Sequence, residues 1–118
     1  MPIILVVDDA EFSRVRVTQM LRADRYEVLE AENGVEAVET YKTSGPDVVL
    51  MDVTMPEMDG LTALKQIRAF DPQAKVVMLT ALGQESIALE AVRSGACDFI
   101  IKPIDRDRVL IAIKKILA

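Results

Sequence analysis

Apolar and polar residues along the chain fall into two alternating patterns. Five short runs, Ile3 to Val7, Tyr26 to Ala31, Asp47 to Met51, Lys75 to Leu79 and Asp98 to Ile101, are rich in β-branched and other apolar residues and predict strands. Between and after them lie five longer stretches in which apolar residues return at helical spacing. The pattern is (βα) five times over, which predicts an α/β fold with a parallel sheet. The first run, IILVV, has no polar face, so it is predicted to lie inside the sheet with both sides covered. The last helix, predicted from about Asp105, carries Val109, Ile113 and Ile116 on one stripe, with Leu110 and Leu117 beside it. Ile111 falls off that stripe and is predicted to be exposed, a hint of a partner surface.

Turn and cap residues divide the chain at the same places. Asn33 with Glu36 three residues on has the form of a capping box opening the second helix, Asp59-Gly60 opens the third, and Gly95 closes the fourth. Gly45-Pro46 and Asp71-Pro72 mark turns before the third and fourth strands. No linker, repeat or low-complexity segment interrupts the 118 residues, which are expected to form a single domain, 1–118, with no output domain.

Composition narrows the function. Hydrophobic residues make up 51% and charged residues 28% of the chain, as in a globular protein, and no apolar run approaches the roughly 20 residues that cross a bilayer. With no signal-peptide pattern and one cysteine, a cytoplasmic location without membrane attachment is expected, and Cys97 is expected to be a small core residue. A net charge of -5 with scattered Lys and Arg argues against nucleic-acid binding. The absence of histidine excludes His-based zinc sites, Ser-His or Cys-His catalysis, and a phosphohistidine on this chain.

Ligands of an open parallel sheet sit at the carboxyl ends of its strands. Here Asp8 and Asp9 follow the first strand, Asp52 ends the third in VVLMD, Thr80 follows the fourth and Lys102 the fifth. Each has a plain structural explanation: Asp8 with Glu11 fits a helix cap, Asp52 a solvated loop residue, Thr80 a strand end, and Lys102 before Pro103 a surface turn. Together, three carboxylates at the rim of a buried sheet would raise one another's pKa values unless a cation compensated. A hard divalent ion such as magnesium, with Lys102 as a point charge and the Thr80 hydroxyl as a donor, makes a site able to accept a phosphoryl group, with Asp52 the favoured acceptor.

Asp8-Asp9, MDVTMPEMDG, LTA and KP together resemble the receiver domain of two-component response regulators over essentially the whole chain. VDDAEFSR, DVTMPEMDG and TALGQE are most similar to the stand-alone chemotaxis regulators of that family. The resemblance implies a flavodoxin-like, doubly wound five-stranded sheet in the order 2-1-3-4-5 with helices on both faces. It implies Asp52 as the phosphorylated residue, Lys102 and Thr80 at the phosphoryl group, and magnesium, with manganese as an alternative ion. Asp9, Asp52 and the backbone carbonyl of Thr54 would be the metal ligands and Asp8 would act through water. The family often has a cis bond before the proline of this KP pair, which leaves Lys102-Pro103 open between cis and trans, and the resemblance further implies a switch of Thr80 with Phe99, where the best-known chemotaxis pattern has tyrosine. Thr54 and Leu82 supply no acid or amide to position water, which points to slow self-hydrolysis.

The implied role is a phosphorylation-activated switch, catalysing only its own phosphorylation and dephosphorylation. Its implied partners are a sensor histidine kinase (CheA-like), a target protein on the face of the fourth helix, fifth strand and fifth helix, with the flagellar motor switch as a candidate, and a phosphatase. The expected state is a monomer. Alternatives are a phosphorelay intermediate, a metal-dependent small-molecule phosphohydrolase and a scaffold whose acidic site goes unused; a flavodoxin-like cofactor binder is disfavoured, because Asp8 and Asp9 occupy the loop where Gly, Ser or Thr would cradle a phosphate.

Overall fold

Strands β1 (Ile3–Val7), β2 (Glu27–Ala31), β3 (Val48–Asp52), β4 (Val76–Thr80) and β5 (Asp98–Ile101) alternate with helices α1 (Glu11–Ala23), α2 (Gly34–Ser44), α3 (Gly60–Phe70), α4 (Glu85–Arg93) and α5 (Arg106–Leu117). They are seen in a computed structural model that describes residues 2–118. The strands are all parallel, in the order β2-β1-β3-β4-β5. This is the doubly wound arrangement that the family resemblance implies.

Side-chain alternation along the strands sorts the core into two layers. Leu5, Val7, Val49, Met51, Val76 and Met78 face α2, α3 and α4, where they pack with Ala37, Tyr41, Leu64 and Ile67. Ile4, Val6, Val48, Leu50, Val77, Leu79 and Ile100 face α1 and α5, meeting Val17, Leu21, Val109 and Ile113. Because both sides are covered, the central strands need no polar face, which is why their sequences read as unbroken apolar runs. Truncating a fully buried side chain such as Leu50 to alanine removes its transfer energy and leaves a void, together about 2–5 kcal/mol.

Three helices start as their sequences predict. Asn33 Oδ1 accepts from Glu36 N–H at 2.9 Å, Asp59 Oδ1 from Thr62 N–H at 2.8 Å, and Asp105 Oδ2 from Arg108 N–H at 3.0 Å. The first helix does not follow the Asp8–Glu11 capping pattern. Ala10 stands at its N-cap with no side-chain bond, and Asp8 instead accepts from the N–H of Ala10 at 3.0 Å. Gly95, with φ +111°, follows the end of α4 in a conformation that few other residues tolerate.

Two strands run one residue later than their apolar runs suggest, and a third starts one residue later. Tyr26 N–H still closes the end of α1 by donating to Leu21, and Asp47 spends its side chain on Ile3 N–H at 2.7 Å. Asp52 and Thr80 are therefore the final residues of β3 and β4, Asp52 as VVLMD suggests and Thr80 one place earlier than expected. Cys97 is exposed, contrary to expectation; it stands just before β5, outside both core layers. Ile111 is exposed as predicted. No helix among the described residues is long and apolar enough to cross a membrane.

Candidate functional site

Register brings the acidic residues to one edge. Val7 pairs with Met51 on β3, Asp52 with Leu79 on β4, and Thr80 with Ile101 on β5, so that Asp8, Asp52, Thr80 and Lys102 leave four adjacent strands at nearly one level. The closest wall is α3. A side chain on Gly60 would overlap the carbonyl oxygen of Asp52, and Gly60 N–H donates to Val53 at 2.8 Å. Only glycine allows the helix to start this near the strand end.

Asp8 and Asp52 are 1% and 7% exposed, while Asp9 is open to solvent. One carboxylate oxygen from each of the three lies within 4.8 Å of the others. Lys102 Nζ stands 3.3 Å from Asp8 Oδ2 and 3.1 Å from Asp52 Oδ2, bridging the two buried acids. Burial pushes the Asp52 carboxyl above its ordinary value, and Asp8 adds to the rise, while Lys102 opposes it without cancelling it. Burial pulls the Lys102 ammonium down, but the two carboxylates outweigh that and leave its pKa raised, so the lysine is a permanent charge at neutral pH.

Three acids against one ammonium leave the ionised pocket two negative charges in excess. All its donors are hard oxygens, and the exposed Asp9 gives solvent access, so the residues fit a magnesium-like divalent cation. Thr80 is wholly buried and its hydroxyl has no hydrogen-bond partner among the described residues. Phe99 lies opposite Met78 and is half-buried against the α2–α3–α4 layer, the face that alternation also assigns to Thr80. Thr54 is exposed at the rim, and the Lys102-Pro103 peptide is cis, the form the family often has.

Two residues of the site were not singled out from the sequence. Arg14 is nearly buried: Nη1 donates to the Asp8 carbonyl at 2.8 Å and Nε to Glu30 Oε1 at 3.0 Å, which pins the turn carrying both aspartates. Gln84 donates from Nε2 to Thr54 Oγ1 at 2.8 Å. Both occur within the quoted motifs VDDAEFSR and TALGQE, but the bonds to Glu30 and Thr54 reach 16 and 30 positions away, and no local spacing encodes those pairs.

Residues 4–114 match the model of the response regulator receiver domain. The chain is 54% identical to the chemotaxis protein CheY of Bacillus subtilis, over 97% of this chain and 96% of that one. A receiver domain protein from Clostridium thermocellum superposes with a TM-score of 0.95 at 29% identity, covering 99% of this chain and 94% of that one. CheY in a CheX-CheY-BeF3-Mg+2 complex from Borrelia burgdorferi superposes with a TM-score of 0.93 at 38% identity, covering 99% and 90%. Receiver domains generally bind magnesium at an acidic pocket and act in signalling, with a histidine kinase and a target protein as partners. With a family model spanning almost its full length and relatives this similar along it, the chain belongs to the response regulator receiver domain family, as a CheY-like, phosphorylation-activated switch of a two-component system.

Proposed function

We propose that residues 1–118 act as one receiver unit that takes a phosphoryl group from a partner histidine kinase onto Asp52 and then binds a target protein in the control of motility. The observation that carries this reading is the bridge of Lys102 between Asp8 and Asp52, beside a buried Thr80 hydroxyl that lacks a partner. A buried ion pair that served only stability would have its charges balanced and its donors satisfied.

Asp52 acts as the nucleophile. Lys102 occupies its Oδ2, which leaves the other carboxylate oxygen to attack phosphorus as the bond from phosphorus to the kinase histidine nitrogen breaks. Lys102 then stabilises charge on the transferring oxygens, and Thr80 donates its hydroxyl to the same group. Asp9, Asp52 and the Thr54 carbonyl would hold magnesium, with Asp8 acting through water, and the ion would supply neutralising charge at the phosphoryl oxygens. The product carries about one negative charge more than the carboxylate. Thr80 and Phe99 move with it and bias α4, β5 and α5 toward the arrangement that the target binds. Support for a motility role comes from the chemotaxis proteins among the relatives.

Incubation with acetyl phosphate and magnesium, followed by intact mass measurement, tests the acceptor. The parent gains one phosphoryl group and Asp52→Asn gains none; equal labelling of both would overturn the assignment. Selective capture of the flagellar switch protein by the phosphorylated form tests the motility role.

A further inference from the structure

The two loops flanking the acceptor are joined by a single side chain outside the acid pocket. Gln84 precedes α4, yet its amide does not cap that helix. Its Oε1 accepts from Ala81 N–H at 2.8 Å, and its Nε2 donates to Thr54 Oγ1 at 2.8 Å. The partners fix the orientation of the amide, since the Ala81 N–H requires an oxygen and leaves the nitrogen for the threonine hydroxyl. The main-chain N–H of Gln84 donates to the Ala81 carbonyl at 3.1 Å, so both polar backbone groups of Ala81 are held by one residue. Gly83, at φ +94°, lets the turn close.

Ala81 follows Thr80, and Thr54 stands two residues beyond Asp52. The Thr80 hydroxyl is buried without a partner, a costly state that a phosphoryl oxygen on Asp52 would relieve. Thr80 and Ala81 share a planar peptide, so a shift of Thr80 toward Asp52 drags Ala81 and strains both of its bonds to Gln84. Two arrangements compete. In one, the Gln84 amide is satisfied and the Thr80 hydroxyl is idle; in the other, Thr80 is engaged and Gln84 is released.

We propose that Gln84 is the latch of the resting state, holding the 81–84 turn against Thr54 until a phosphoryl group on Asp52 draws Thr80 in. The proposal rests on Asp52 being the acceptor. A residue that merely braced the loop would have the opposite effect, since its removal would loosen the phosphoryl site and weaken binding there.

Beryllofluoride with magnesium, a phosphoryl mimic, is titrated calorimetrically into the parent, Gln84→Ala, Gln84→Glu and Asp52→Asn. Gln84→Ala is expected to bind it about three- to tenfold more tightly than the parent, the factor that the lost hydrogen bonds represent. Gln84→Glu keeps the acceptor for Ala81, and its second oxygen can accept from the Thr54 hydroxyl, so it stays near the parent. In the absence of the mimic, the Ala81 amide hydrogen exchanges faster in Gln84→Ala than in the parent. Equal or weaker binding by Gln84→Ala overturns the latch alone, provided that the parent binds and Asp52→Asn does not. Failure of the parent to bind, or binding by Asp52→Asn, overturns the acceptor assignment and the latch with it.

Discussion

The acid pocket and the corner around Tyr41 sit at opposite ends of the sheet, and each sets a carboxylate against a donor. At the corner, Tyr41 Oη donates to Asp71 Oδ2 at 2.6 Å, Phe70 meets the Tyr41 ring edge-on, and Lys42 lies over Phe70. The Tyr41 hydrogen bond and the Gln73 N–H hold the Asp71 carboxyl below its ordinary value, while burial pushes the Tyr41 hydroxyl up. Both shifts favour the protonation states present at neutral pH. In the pocket, by contrast, burial raises the Asp52 carboxyl despite an adjacent ammonium, and a threonine hydroxyl goes unused. The corner balances its charges and donors, whereas the pocket holds an excess of acid; Thr18 on α1 also lacks a partner among the described residues, so it is the gathered charge, not an idle hydroxyl alone, that sets the pocket apart.

Lys102→Met should separate the two ends most sharply. Phosphoryl uptake from acetyl phosphate, followed as the initial rate of mass gain, should slow about 100-fold, the usual cost of losing one charge-stabilising donor. A rate near that of the parent would mean that the lysine is only an ion-pair partner.

Asp52→Asn should abolish labelling and yet stabilise the fold by about 1 kcal/mol in magnesium-free urea titrations at neutral pH. The sign follows from the raised carboxyl. Ionised Asp52 is disfavoured in the folded state, so its cost appears as pH climbs past the unfolded value near 3.8 and is absent well below it. Magnesium should restore the parent toward the variant.

Tyr41→Phe should give the smallest effect, a slight loss of stability with phosphoryl uptake unchanged. Asp71 has a depressed carboxyl, so the parent's advantage is fully present above the usual value near 3.8 and fades as pH falls through the lower folded value. Urea midpoints for both proteins at neutral and acid pH would detect this, and a difference that persisted into strong acid would assign it to packing of the ring instead.

Most of the fold could be read from apolar spacing because this sheet is buried on both faces, and burial is written directly into composition. Asp52, Thr80 and Lys102 were legible for a related reason: each breaks an apolar run at its end, where a parallel sheet presents its ligands. Asp8 shows where local rules stop. Its spacing to Glu11 satisfies a capping pattern, but the carboxylate is engaged by Lys102, 94 positions along the chain, and by the neighbouring Ala10 N–H. Arg14 and Gln84 were missed for the same reason, since a helical arginine and a turn glutamine look like ordinary surface residues until the strands that they reach are in place. The exposure of Cys97 had no local signal either.

Gly60 bears on which parts of the molecule can respond to phosphorylation. With no room for even one carbon between α3 and the main chain of Asp52, and with Asp59 pinning the first turn, that helix is already seated as far forward as atoms permit. It serves as an anvil. Any displacement begun at the acceptor therefore meets a wall on the α3 side, a limit set by one missing methyl group.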